Sequence, residues 1–253
     1  MKRILTTIQK EANKILLLTV LAGAMASCDS VLDYNEGDCS IEYLVKFKYD
    51  YNMEKVDAFA QEVRAVTLYA FDDNGNMVYF KTDQGEILAD GNYAMKLDIE
   101  PGEYHLIAWA GLDNQSFAVP VLYPQTSQIT ELKVKTLREE FVPTRSEDEK
   151  DKYIVEKELS SLWHGEVKKS AFTRSGRERI TEVSLVKNTN NIRIVVAQVN
   201  QHPDQPVTRV LKKENLKYTI YDENGYMNYD NSLLPDNMLT YKPFATEQEF
   251  ITS

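Results

Sequence analysis

The sequence predicts an all-β protein assembled from β-sandwich modules, and three observations carry that prediction. Apolar residues recur with period two along several short runs, the mark of half-buried strands. Asn-Gly and Pro-Gly turn pairs separate the runs at intervals of roughly ten residues, which suits the strands of a sandwich. Thr67–Met77 and Tyr218–Met227 also repeat one order of features: strand, aromatic, acidic pair, Asn-Gly and Met. Hairpin chemistry alone produces such an echo; two copies of one sandwich module in tandem produce it as well.

The chain opens with a leader. Lys2, Arg3, Lys10 and Lys14 form a positive region ahead of the apolar run Ile15–Ala22. A core of about 8–12 residues is too short to cross a bilayer, which needs roughly 20. Ala24, Ala26 and Ser27 are small enough for a signal-peptidase cleft, and Cys28 follows them directly. This arrangement predicts a lipoprotein signal, with Cys28 acylated and made the new N-terminus. Met25 stands where such signals usually hold Leu. An ordinary signal peptide with an incidental cysteine is the alternative. Two or three acyl chains give durable attachment where one is marginal.

Charge narrows the function classes. The net charge is −10, and residues 1–27 hold four bases against Glu11, so cleavage leaves −13. An acidic surface of that size argues against nucleic acid and against a polybasic membrane patch. The mature length, roughly 225 residues, suits one large or two modest domains. Cys28 and Cys39 are the two cysteines. A lipid on Cys28 leaves Cys39 unpaired; without lipid, a Cys28–Cys39 disulfide becomes available in an oxidising compartment.

Each element then follows from local pattern. Asp29–Asp38 is polar and acidic and reads as a solvated tether. Ile41, Tyr43, Val45, Phe47 and Tyr49 alternate with mostly polar neighbours, which predicts a half-buried strand. Met53, Val56, Phe59, Ala60 and Val63 share a helical face, so Asn52–Val63 reads as a short helix or turn. Arg64–Phe71 is apolar on both faces, as a central strand must be. Asp72–Gly75 is a turn and Met77–Lys81 the returning strand. Met95–Ile99 alternates, Pro101-Gly102 turns, and Tyr104–Ala110 is another strand; Glu131–Lys135 is a shorter one. Arg138–Asp151 is a charged, solvated loop. Ile154–Leu162 fits strand or helix, and Trp163-His164-Gly165 closes the first domain. Ser170–Arg179 reads as a connection. Ile180–Val186 opens a second domain, followed by a turn at Asn188–Asn191 and a buried-looking strand Ile192–Val199. Leu216–Tyr221 is a strand with its turn at Asp222–Gly225. The resulting division is a signal over 1–27, a tether over 28–40, a β-sandwich domain over 41–172, a linker over 173–179 and a second over 180–253.

Catalytic patterns are missing from the sequence. His105, His164 and His202 have no metal-ligand spacing with Cys or another His. There is no G-x-S-x-G elbow, no phosphate-binding glycine loop and no His-Glu-x-x-His helix. His164 beside Trp163 reads as a packed turn residue. Asp72-Asp73-Asn74 and Asp222-Glu223-Asn224 carry oxygens suited to Ca²⁺, but a hairpin turn explains both without the six or more ligands a calcium loop needs. Fifteen tyrosines and two tryptophans are enough for a sugar-stacking platform, or for core and cross-strand packing.

Taken together these pieces resemble the FimB-like (fimbrillin-associated) anchor lipoproteins of type V pili. The resemblance is carried by the signal at Cys28, Asp38-Cys39, Lys46–Met53, Asp57–Ala60 and the Tyr69–Gly75 hairpin. Pro101–Tyr104, Ala108–Gly111 and Leu162–Gly165 complete it over the first domain. Over the second it is thinner: Lys187–Ile192 and the Asp222–Gly225 turn. The resemblance implies two tandem transthyretin-like β-sandwich domains, held at the outer membrane by acyl chains on Cys28. It implies fimbrial subunits as partners, and no cofactor, metal or small-molecule substrate. In that family an arginine-directed protease frees the first strand of polymerising subunits, and the groove accepts a strand from the next. Here no Arg lies between Cys28 and Arg64, so the first strand is expected to stay. Family members continue for several strands beyond the point corresponding to Ser253, so the second sandwich is expected to be incomplete. The rival expectation is a lipid-anchored carbohydrate-binding module of a nutrient-uptake system. An exposed row of Trp109, Trp163 and tyrosines favours sugar; buried aromatics beside an open strand edge favour assembly.

Overall fold

The computed structural model describes residues 42–142, 152–173, 180–198 and 211–248. The expected leader and tether, Cys28, Cys39, His202 and most of the expected charged loop and linker lie outside these residues. Among the described residues no helix is long and apolar enough to cross a membrane.

Among the described residues the regular structure is nearly all strand. In order it forms β1 (Tyr43–Lys48), the short helix α1 (Phe59–Glu62), β2 (Ala65–Phe71), β3 (Met77–Gln84) and β4 (Met95–Leu97). Then come β5 (Gly102–Ala110), β6 (Phe117–Ala118), β7 (Lys133–Thr136), β8 (Glu139–Glu140), β9 (Tyr153–Val155) and β10 (Trp163–Phe172). The last are β11 (Ile180–Ser184), β12 (Val186–Lys187), β13 (Ile220–Asp222), β14 (Tyr226–Asn228) and β15 (Leu239–Tyr241). The sheets run β11-β1-β4, β12-β10-β5-β2-β3, β13-β15-β9-β8 and β14-β7-β6. The all-β sandwich class expected from alternation is the class observed.

The five-stranded sheet is the middle layer, and its register sorts the side chains. Ala110, Ala108 and Leu106 stand level with Val66, Leu68 and Ala70 on β2 and with Trp163, Gly165 and Val167 on β10. This face meets the β11-β1-β4 sheet: Tyr49 packs edge-on against Trp163 at 5.9 Å. Gly165 is glycine because the layers touch there; a Cβ would stand 2.6 Å from Val183 Cγ1 and 2.7 Å from the Ser184 carbonyl oxygen. The opposite face presents Tyr69, Phe71, Ile107 and Trp109 to a core with Phe117, Leu132, Val134, Leu162 and Met227. β2 is buried along nearly its whole length, between β5 and β3. That agrees with its two apolar faces.

Four expectations change. Trp163–Gly165 does not close a unit, and Ser170–Phe172 is not a connection: both belong to β10, which pairs with β5 along most of its length. β11 does not start a new sheet, because it pairs in parallel with β1 from Leu44↔Ile180 to Lys48↔Ser184. With β12 paired to β10, residues 180–187 finish the N-terminal sheets, beyond the boundary drawn at 173–179. Asp222–Gly225 is not a hairpin turn, since β13 pairs with β15 while β14 pairs with β7. Ile192–Val196 is neither strand nor buried. A β-branched run has strand propensity, but only a neighbouring strand realises it, and none of the described residues supplies one.

Candidate subunit-contact surface

Strand-mediated contact depends on which edges are taken, and β1 has both of its edges occupied. β11 flanks it in parallel and β4 antiparallel, with Tyr43↔Leu97 and Val45↔Met95 in register. Its inward residues Tyr43, Val45 and Phe47, with Tyr49 just beyond, are all buried. Phe47 stacks against Phe59 at 5.6 Å and against Tyr93 at 6.3 Å. Tyr43 packs on Phe172 at 4.8 Å. The strand is anchored past its end as well: the Leu185 amide donates to the Lys48 carbonyl at 2.7 Å. Removing β1 would open a groove lined by β11 and β4, but Arg64, the first arginine after Cys28, lies beyond α1. In the uncut chain β1 is therefore a paired, buried part of the sandwich.

The two tryptophans do not form an exposed row, although Tyr51, Tyr123 and Tyr221 are exposed. Trp109 and Trp163 are both buried. Trp109 lies 4.7 Å from the His164 ring, and Lys187 Nζ sits 5.0 Å from the Trp163 ring centroid. They are core, not a stacking platform.

His164 is packed as expected, though in a strand. Its Nε2 donates to the Tyr229 carbonyl at 2.8 Å. Burial holds its imidazole below the ordinary range, against the pull of the Tyr229 carbonyl and Glu166. His105 Nε2 donates to Glu166 Oε1 at 2.7 Å, and its ring meets Tyr229 edge-on at 6.2 Å. These contacts seat the turn after β14 on the middle sheet. Asn188 and Asn231 strengthen the seat through mutual amide hydrogen bonds.

Asp72 works as a turn residue. Its Oδ1 accepts from the Asn74 and Asn76 amides at 2.9 and 2.8 Å, and Gly75 takes a φ of +79°. The hydrogen bonds from Asn76 and Asn74 hold the carboxyl below the usual range despite partial desolvation. At the second site Asn224 Oδ1 accepts from the Tyr241 hydroxyl at 2.5 Å. Among the described residues no three His, Cys, Asp or Glu side chains cluster to hold a metal.

One ion pair had no sequence signal. Arg138 Nη2 meets Asp236 Oδ2 at 2.6 Å, with both side chains almost fully buried. Arg138 Nε also donates to the Thr136 carbonyl at 3.2 Å. Burial works against the charge on Asp236, yet the hydrogen bond from Arg138 and a backbone amide keep its carboxyl below the ordinary range. Gly225 fits beside this pair because a Cβ would stand 2.7 Å from Asp236 Oδ2.

Comparison with known proteins extends the sandwich reading. Residues 35–251 match the family model of the fimbrillin-A associated anchor proteins Mfa1 and Mfa2. No curated protein sequence matches the chain. A crystal structure from Bacteroides thetaiotaomicron VPI-5482, described as a candidate polysaccharide-binding protein, is similar at a TM-score of 0.66 and 30% identity, covering 83% of this chain and 67% of that one. A candidate adhesin from the same bacterium is similar at 0.62 and 34%, covering 80% and 62%. The fimbrial anchor protein Mfa2 from Porphyromonas gingivalis shares the fold at 0.51 and 12%, covering 79% and 65%. The chain thus spans about two thirds of the length of the structures it matches.

Proposed function

Because the chain belongs to the family of fimbrillin-A associated anchor proteins, we propose that it is a non-enzymatic surface lipoprotein that anchors or caps a fimbria. Cys28 carries the acyl chains, and the sandwich meets fimbrial subunits through strand contacts. The observation that supports an anchor over a repeating shaft subunit is the position of β1. A shaft subunit gives up its first strand to make room for its neighbour's. In this chain β1 is paired on both edges, buried along its inner face and reached from Cys28 without an intervening arginine. A filled groove accepts nothing, while the polypeptide leading into β1 runs back to the lipid. The buried tryptophans leave little support for a sugar-binding module built on them.

Metabolic labelling with an acyl-chain analogue tests the tether, combined with protease shaving of intact cells. Wild type is expected to take the label and to be cut at the surface. Cys28→Ala is expected to lose the label and to appear in the medium or periplasm. Label retained by Cys28→Ala, or unlabelled wild type released from cells, ends the proposal.

A further inference from the structure

Two histidines on the middle sheet hold one turn of the C-terminal segment. On β10, His164 and Glu166 stand level with Trp109 and Ile107 on β5. His105 comes two residues before Ile107 on β5 and so shares that face. This face packs on Met227 of β14, and Tyr229 lies against the same core. The turn after β14 is closed within its own hairpin. The Leu234 amide donates to the Tyr226 carbonyl at 2.8 Å, the Asn228 amide to the Ser232 carbonyl at 2.8 Å, and the Asn231 amide to the Asn228 carbonyl at 3.0 Å.

Side chains tie that turn to the sheet. His164 Nε2 donates to the Tyr229 carbonyl at 2.8 Å, and the His105 ring meets the Tyr229 ring edge-on at 6.2 Å. Asn188, just beyond β12, exchanges amide hydrogen bonds with Asn231 at 2.5 and 3.2 Å and reaches Met227 Sδ at 3.6 Å. Its own amide donates to the Leu162 carbonyl at 2.8 Å, which fixes it beside β10.

The groups around His164 differ in their freedom to move. The Trp109 ring, 4.7 Å away, and Val186 belong to neighbouring strands of the same hydrogen-bonded sheet, and neither withdraws without breaking that sheet. The turn rests on side-chain contacts and can lift. His164 is 6% exposed, so a proton on its imidazole places a charge where water does not reach, and lifting the turn lets water in. Burial is the largest influence on its titration and outweighs the opposing pull of the Tyr229 carbonyl, Glu166 and Asp230, while His105 adds to the effect of burial. Glu166 and His105 stay on the sheet when the turn lifts; Asp230 leaves with it. Lys187, the charged residue of β12, is turned to Trp163 and Glu62 on the other face.

We infer that the turn at Tyr229–Asn231 is an acid-released latch, which holds the tip of the β14 hairpin on the middle sheet while His164 is neutral and lifts when His164 takes up a proton. If lifting returns His164 to its ordinary value near 6.5 and the seated form stays neutral, the ratio of lifted to seated turns rises about tenfold between pH 7.5 and 5.5.

Chymotryptic cleavage after Tyr229 in the full mature chain reads the lifted form, with a free peptide of residues 222–236 correcting for the protease's own pH dependence. Corrected cleavage is expected to rise at least threefold from pH 7.5 to 5.5, toward the tenfold ceiling. Amide exchange along β2 and β5, corrected for intrinsic rates, is expected to stay as slow as at neutral pH. His164→Gln keeps a side-chain amide to donate to Tyr229 and is expected to show no rise. Wild-type cleavage that is unchanged or falls in acid overturns the inference. An equal rise in His164→Gln overturns it too, as does a rise matched by faster exchange along β2 and β5, which is unfolding of the whole. Should His164→Gln fail to fold, the nuclear Overhauser effect between the Tyr229 and His105 rings of wild type decides. Its loss in step with the His164 titration supports the latch; its persistence through that titration removes it.

Discussion

Phe47→Ala measures how firmly β1 is held. Phe47 is 5% exposed and has two stacked rings against it, Phe59 and Tyr93, themselves 6.0 Å apart. Truncation leaves a cavity beside two aromatics, Phe59 and Tyr93, that are each held in place. α1 is tied by the Asp57 carboxylate, and Tyr93 donates to Asp83 Oδ2 at 2.7 Å. A site that cannot collapse belongs at the upper part of the range for such substitutions, about 3–5 kcal/mol. For a chain of this size that lowers the melting midpoint by roughly 6–20 °C. The control is Phe80→Ala on β3, where the ring is 45% exposed and about 1 kcal/mol or less is expected. Urea titration followed by the fluorescence of Trp109 and Trp163 reads both variants, since both tryptophans are buried in wild type. If Phe47→Ala falls within 1 kcal/mol of Phe80→Ala, β1 is not part of the core of the mature protein. The case for a locked first strand then fails with it.

Two further perturbations address the segment that packs on the middle sheet. Asp236→Ala leaves the Arg138 guanidinium buried without its partner and is expected to cost about 3–5 kcal/mol by urea titration, while Arg138→Met with Asp236→Leu is expected to recover most of that loss. Because the folded carboxyl of Asp236 titrates below its ordinary value, its contribution is complete above about pH 4 and is lost as pH falls through the folded pKa. His164 acts at milder pH: its folded pKa lies below the ordinary 6.5, so the unfolded chain binds the proton first. Its contribution is whole above about pH 6.5 and declines as pH drops below that value. Comparing urea midpoints at pH 7.5 and 5.5, wild type is expected to lose more than His164→Gln; equal losses refute the linkage.

How much was legible in the sequence depended on how local the deciding interaction is. β1 could be read because alternation against one buried face is written within the strand: Tyr43, Val45, Phe47 and Tyr49 face inward as their spacing predicts. How it is held was not legible: β11 reaches β1 from far along the chain and leaves no mark in either strand. The two Asp-x-Asn-Gly turns make the same point. Asp72–Gly75 and Asp222–Gly225 have nearly the same chemistry, but only the first joins two strands that pair with each other. After the second, β13 and β14 go to different sheets, because Leu239–Tyr241 and Lys133–Thr136 are the strands that meet them. Ile192–Val196 misled for the opposite reason: its composition is that of a buried strand, and burial is a property of neighbours. Arg138 and Asp236 carried no signal, since a charged residue next to a charged loop reads as solvated until its partner is known.

A polymer ends where a unit has one joining surface instead of two. A shaft subunit in strand-linked assembly needs a groove that accepts and a strand that donates. Here the groove next to β11 and β4 is filled by the chain's own β1, and the segment leading into β1 runs toward Cys28. Under the proposed anchor function, such a unit ends a fibre instead of extending it. Opening the groove tests this. A chain given an arginine-directed cleavage site between Cys28 and Tyr43, cut and stripped of β1, is expected to bind a peptide of residues 42–50, as read by fluorescence anisotropy, while the uncut chain does not. A cut chain that loses β1 and fails to take up the peptide would show that β1 does not fill a strand-accepting groove.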